Sequence, residues 1–189
     1  MQKTDSAMFS GHYPKFEQYL AILLMASWLT AAQAKPGPHP PFEVTGTVIK
    51  NHDGDTIKMQ TVDHGVVDVR FSNVDTPETG QAYWKAARGY LRSLVAGKAV
   101  TIRCYKRDRY EREVCHVSVG GSDTGLALVK HGYAWYAHMF SEELGSSQQK
   151  AYSEAEQLAR RQRIGLWQDP DPMPPWECRK LRRAHQKCY

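Results

Sequence analysis

At 189 residues the chain can hold one domain with a proper core plus short extensions, and nothing in its pattern asks for a second. Hydrophobic content of 41% and charged content of 24% fit a soluble globular protein and single out no function class. The net charge of +5 sits mostly at the far end, where Trp176 to Tyr189 holds Arg179, Lys180, Arg182, Arg183 and Lys187 against Glu177 alone. That placement points weakly to a polyanionic partner; a solvated basic tail is the alternative.

The first 34 residues are set apart as a signal peptide. Lys3 and Lys15 precede an apolar run, Leu20 to Ala32, too short to span a bilayer comfortably, and Ala32-Gln33-Ala34 is a small-x-small cleavage pattern. Asp5 and Glu17 leave an uncleaved anchor or a start at Met8 as alternatives. Cleavage after Ala34 predicts an exported protein, periplasmic or secreted, with no stable membrane association afterwards. All four cysteines, Cys104, Cys115, Cys178 and Cys188, lie in the exported part, so two disulfides are expected, with three pairings open. Cys104 and Cys115 flank a turn symmetrically and can face each other across a hairpin, which would leave Cys178 to join Cys188. Zinc is the competing reading, without a C-x-x-C to support it.

Residues 35–41 form a proline-rich linker, extended by composition. Strand one covers about Phe42 to Lys50, and Asp53-Gly54 is a hairpin signal. Strand two (about 56–62) turns at Asp63-His64-Gly65 into strand three (about 66–74). A helix over about 81–95 carries Ala82, Ala86, Tyr90, Leu91, Leu94 and Val95 on one stripe and stops at Gly97. Strands four (about 99–105) and five (about 113–119) flank the charged turn 107–112; a short helix over 126–130 follows, capped by Ser122 or Asp123. After an aromatic segment, 133–140, a last helix spans about 147–163, and the tail 169–189, proline-rich and then basic, is expected to lack regular structure. The order predicts an α+β fold over residues 42–168: a five-stranded OB-type Greek-key β-barrel with three helices and a site at one mouth.

Charge gathers where strand three ends. Arg70-Phe71-Ser72-Asn73-Val74-Asp75-Thr76-Pro77-Glu78 supplies an arginine, an aspartate and a glutamate, and Asp53-Gly54-Asp55-Thr56 offers further carboxylates to the same rim. Two carboxylates and a backbone carbonyl make the hard, all-oxygen site that calcium or magnesium prefers, and a guanidinium beside it suits phosphate. Water is a poor nucleophile at neutral pH, and Glu78, held near the metal ligands by Thr76-Pro77, is the candidate base. His52, His64, His116, His131 and His138 show no ligand spacing, and Trp84, Trp135 and Trp167 are read as packing residues.

These motifs resemble those of the staphylococcal nuclease (thermonuclease) family: Asp-Gly-Asp-Thr at 53–56, Arg70, Val-Asp-Thr-Pro-Glu at 74–78, Asp-Arg-Tyr-Glu-Arg at 108–112, and the tail Trp176-x-x-Arg179 after prolines. The resemblance runs from about Phe42 to Trp167. It implies one calcium ion on the carboxylates of Asp55 and Asp75 and the carbonyl of Thr76, with Glu78 as general base. It also implies Arg70 and Arg112 on the scissile phosphate, Tyr110 as a further phosphate contact, and His138 and Phe140 in place of two base-flanking tyrosines. The implied reaction is calcium-dependent endonucleolytic hydrolysis of DNA and RNA without sequence specificity, leaving 3′-phosphates, by a monomer.

Glu111 departs from the family's usual glycine; if that turn needs positive φ it is costly there, and its charge, with Glu113 next along, would weaken Arg112 by pairing with it. One rival reading is a catalytically weak nuclease-like module that only binds nucleic acid. Another is a single-strand binder stacking bases on Trp135, Tyr136 and Phe140.

Overall fold

The computed structural model describes residues 40–188; the predicted signal peptide (1–34) and linker residues 35–39 lie outside them. The chain first forms β1 (Phe42–Asn51), β2 (Thr56–Thr61) and β3 (Gly65–Phe71), an antiparallel meander. β4 (Val74–Asp75) and α1 (Trp84–Val95) follow, then the hairpin of β5 (Ala99–Arg107) and β6 (Glu113–Val119). β7 (Ser122–Asp123), α2 (Thr124–Lys130), β8 (Trp135–Tyr136), α3 (Ser146–Arg161) and α4 (Pro175–Arg183) complete the order.

β1 pairs with both β2 and β5, and β3 returns to pair in parallel with β6 (Val69 opposite Glu113, Phe71 opposite Cys115), which closes a five-stranded mixed barrel of the OB type. Alternation dictates its interior. Ile57, Met59, Val69, Val100, Ile102 and Val117 point inward and are essentially inaccessible, as is the Cys104–Cys115 disulfide that joins β5 to β6. Each such aliphatic side chain contributes roughly 1.5–3 kcal/mol on burial. Ala87, Leu91 and Val95, four apart on α1, and Leu128 and Val129 of α2 are buried against the barrel.

Three expectations need correction. Strand three stops at Phe71: Asn73 turns through a left-handed φ of 64°, and Val74–Asp75 pairs with Trp135–Tyr136 instead. The first helix starts at Trp84, because Gln81 accepts from the Glu78 N–H and donates to the Met173 carbonyl, which folds 78–83 into a turn. The tail is not irregular throughout. Pro175 begins a fourth helix, α4, since proline is tolerated in a first helical turn, and the Cys178–Cys188 disulfide ties this helix to the segment after it. No helix among the described residues is long and apolar enough to cross a membrane.

Candidate active site

The β1–β2 turn and the segment after β3 are brought into contact by a missing side chain. A Cβ on Gly54 would lie 2.8 Å from the Cβ and Oγ1 of Thr76, so only glycine lets the two loops close. Asp55 then receives both the N–H and the Oγ1 of Thr76 on Oδ2, each at 2.8 Å. Arg70, opposite Thr56 in the β2–β3 ladder, reaches between the two aspartates: Nη1 is 3.0 Å from Asp55 Oδ2 and Nη2 is 3.0 Å from Asp75 Oδ1. Its Nη1 also donates to the carbonyls of Phe71 and Val74 at 3.2 and 3.1 Å. Asp55, Asp75 and Thr76 are all buried, and Arg70 nearly so.

The second wall is the β5–β6 turn. Asp108 accepts from the backbone N–H groups of Tyr110 and Arg112 and from Arg112 Nε at 2.8 Å, so the turn and the arginine are oriented by one carboxylate. Burial opposes the ionisation of Asp108, but Arg112 and the two backbone donors more than offset it and hold the carboxyl below the usual range. The guanidinium groups of Arg109 and Arg112 stand 4.9 and 5.4 Å from the centre of the exposed Tyr110 ring. Glu111 does adopt positive φ, 62°, as the glycine comparison implied. Its charge, however, faces Arg107 at 3.5 Å, and Glu113 also pairs with Arg107 while Arg112 pairs with Asp108, so the expected neutralisation of Arg112 by Glu111 is absent.

A third wall comes from α4. Arg179, Arg182 and Arg183, spaced i, i+3 and i+4, line the same cleft of about 470 Å3 as Asp53, Asp55, Arg70, Asp75, Thr76, Glu78, Tyr110 and Arg112. Arg179 Nη1 lies 2.7 Å from Glu78 Oε1. The sequence points the basic tail weakly at a polyanion and shows Trp176-x-x-Arg179 as a motif, but names none of its arginines as a site residue; the helical spacing of Arg179, Arg182 and Arg183 is the signal that could have done so. Asp108, four residues before Arg112, was likewise missed as its orienting partner. Phe140 lines an adjoining recess of about 220 Å3 with Arg70, Asp75, Arg112 and Arg179. His138 is exposed against the Tyr136 ring, 6.4 Å away, and lines neither the cleft nor this recess. Trp135 and Tyr136 are buried, which removes them as a base-stacking surface. A wider depression of about 620 Å3 between β1 and α1, edged by Lys50, Lys85, Arg88 and Arg92, has no carboxylate in its lining, so the chemistry is assigned to the smaller cleft.

The donor set suits a hard dication. Asp53, Asp55 and Asp75 line the same cleft and offer the oxygen ligands such an ion takes; burial, and after it the charge of Asp55, pushes the Asp53 carboxyl up to about 7. Burial also raises Asp75, against the pull of Arg179 and Arg70. Asp55 Oδ1 accepts from Thr56 Oγ1 at 3.2 Å and keeps lone-pair capacity. Asp75 is different, because both its oxygens accept from guanidinium groups. Among the described residues no three His, Cys, Asp or Glu side chains are grouped to hold a metal, so such an ion would rest on the two aspartates and a main-chain carbonyl.

A barrel of the OB type with carboxylates and arginines converging at one mouth defines a class of phosphate-handling sites. Residues 68–169 match the family described as staphylococcal nuclease homologue, and the chain belongs to that family. It is 34% identical over 135 residues to an uncharacterized endonuclease of Escherichia coli O157:H7, covering 71% of this chain and 84% of that one. It is 34% identical to a micrococcal nuclease of Shigella flexneri (71% and 80% covered) and 34% identical to the protein ParB of Escherichia coli (85% and 87% covered).

Proposed function

We propose that the chain is an exported, calcium-dependent endonuclease that hydrolyses phosphodiester bonds of DNA and RNA without sequence specificity and leaves 3′-phosphate ends. The observation that carries this reading is the convergence of Asp55, Asp75, Glu78, Arg70 and Arg112 on one cleft from three separate stretches of chain, the β1–β2 turn, residues 70–78 and the β5–β6 turn. Asp55, Asp75 and the Thr76 carbonyl would hold the ion, which supplies positive charge beside the phosphate. Glu78, only part-exposed, takes a proton from water as the water oxygen bonds to phosphorus and the bond to the 5′ oxygen breaks; solvent returns a proton to that oxygen. Arg112, aimed by Asp108, meets the charge building on the phosphoryl oxygens. Arg70, tied to both aspartates, fixes the ligand geometry and adds its charge to the local field. Tyr110 at the rim and Phe140 in the recess are assigned to the strand on either side; His138, exposed two residues before Phe140 but outside both, is assigned to it only by the family resemblance.

One observation favours the second reading, a weak nuclease that mainly binds nucleic acid: Glu78 Oε1 is taken up by the Arg179 guanidinium and not turned to a water. Plasmid cleavage by the protein lacking residues 1–34 separates the two. Cleavage in calcium that stops with EGTA and returns on calcium addition is expected; binding without cleavage at any calcium concentration would select the weak module.

A further inference from the structure

The family match ends at residue 169, and α4 begins at Pro175, yet this helix supplies three of the residues that line the cleft. Arg179 presents both terminal nitrogens to the carboxylates the reaction needs. Nη2 is 2.6 Å from Asp75 Oδ2, and Nη1 is 3.0 Å from Asp75 Oδ1 and 2.7 Å from Glu78 Oε1. The helix is seated for this. Cys178, next to Arg179, is buried in its disulfide with Cys188; the Trp176 ring stands edge-on to Trp135 at 6.2 Å; and Gln81 holds the Met173 carbonyl just before the helix. An exposed ion pair contributes little, but a two-nitrogen fork on a carboxylate with 8% of its side chain exposed is a different case.

We propose that Arg179 is an exchange residue of the active site: without a divalent cation it is the counter-charge of Asp75 and Glu78, and with the cation bound it gives up Asp75 and turns to the substrate phosphate. The proposal rests on the metal-dependent nuclease reading above. Its physical basis is that one carboxylate cannot serve both cations as it stands. A ligand position on Asp75 needs an oxygen that Arg179 now holds, and two positive centres a few ångströms apart repel.

Two guanidinium groups share Asp75, and they differ in how easily they let go. Arg70 is 18% exposed and also bound to Asp55 and to two backbone carbonyls. Arg179 is 38% exposed, and the contacts of its guanidinium are with carboxylates alone among the described residues, so it is the group that moves. Its departure also frees Glu78 Oε1 to accept a proton, so the step that opens the ligand position unmasks the base. The released fork remains in the cleft wall with Arg112 opposite, and a phosphodiester offers it the same pair of oxygens it has left.

The test is a calorimetric calcium titration without substrate, for the wild-type chain and Arg179→Gln, joined to KM for a single-stranded oligonucleotide at saturating calcium. Arg179→Gln is expected to bind calcium about tenfold tighter, within the usual range for coupled sites, and to raise KM by a similar factor. A merely structural arginine would weaken both together. Equal or weaker calcium binding by the folded variant, or an unchanged KM, overturns the proposal. If the variant does not fold, the Arg179 guanidinium resonance of the wild-type chain decides: it is expected to shift on calcium addition while that of Arg70 stays, and no shift counts against exchange. A wild-type chain that binds no calcium removes the metal-dependent reading and this proposal with it; calcium binding that Arg179→Gln leaves unchanged removes this proposal alone.

Discussion

At the residue scale the proposed hydrolysis rests on one carboxylate. Glu78 sits among arginines, with Arg179 on one oxygen and Arg182 at 3.6 Å from the other, yet a quarter of its side chain meets the cleft. Glu78→Gln keeps the shape and removes the proposed proton acceptor, so turnover is expected to fall by about two to four orders of magnitude while oligonucleotide binding stays within a few-fold. Robust cleavage by this variant, measured in single-turnover assays, would take Glu78 out of the base role. The sequence singled out this residue, Asp55, Asp75, Arg70 and Arg112, and the structure gathers the five round one cleft, because each belongs to a short motif whose neighbours fix it: Gly54 beside Asp55, Pro77 beside Glu78. It did not disclose that Arg70 would be occupied by Asp55 and Asp75, since that depends on which side of β3 faces the turn.

At the scale of elements, α2 and its cap show how a polar network supports the wall behind the site. Asp123 caps α2 by accepting from the Leu126 N–H at 2.9 Å, takes the hydroxyl of the buried Tyr152 from α3, and lies 3.1 Å from His116 of β6. Burial disfavours its charge, but His116, the capping N–H and Tyr152 more than offset that and keep the carboxyl below its ordinary value. Because the folded group is then more acidic than the unfolded one, its stabilisation is complete above the unfolded value of about 4 and is lost as pH falls through the folded one. Asp123→Asn is therefore expected to lower stability at neutral pH by about 1–3 kcal/mol and to flatten the acid limb of a urea-midpoint series; an unchanged limb would refute the linkage. The cap was legible as a choice between Ser122 and Asp123, since either side chain can accept the helix's free N–H. The helix α4 was not legible, because prolines 170, 172, 174 and 175 read as a chain kept open, and two of the groups that seat it, Trp135 and Gln81, are distant in the chain.

At the scale of the whole molecule, the two disulfides serve different parts. Cys104–Cys115 crosslinks neighbouring strands inside the barrel, where both sulfurs are fully buried beside Ile102 and Phe71 in the same core. Cys178–Cys188 closes a loop in the last stretch of chain and steadies the helix that carries Arg179, without touching the barrel's closure. Replacing Cys104 and Cys115 together with alanine should therefore lower global stability, by about 2–4 kcal/mol, which moves the thermal midpoint of a chain this size by roughly 4–16 °C. The paired Cys178→Ala and Cys188→Ala change should cost less in midpoint and show instead as faster amide exchange confined to 175–183. Dithiothreitol should reproduce the sum of both. A reduced chain that keeps both the midpoint and the tail protection would deny the cysteines a stabilising role.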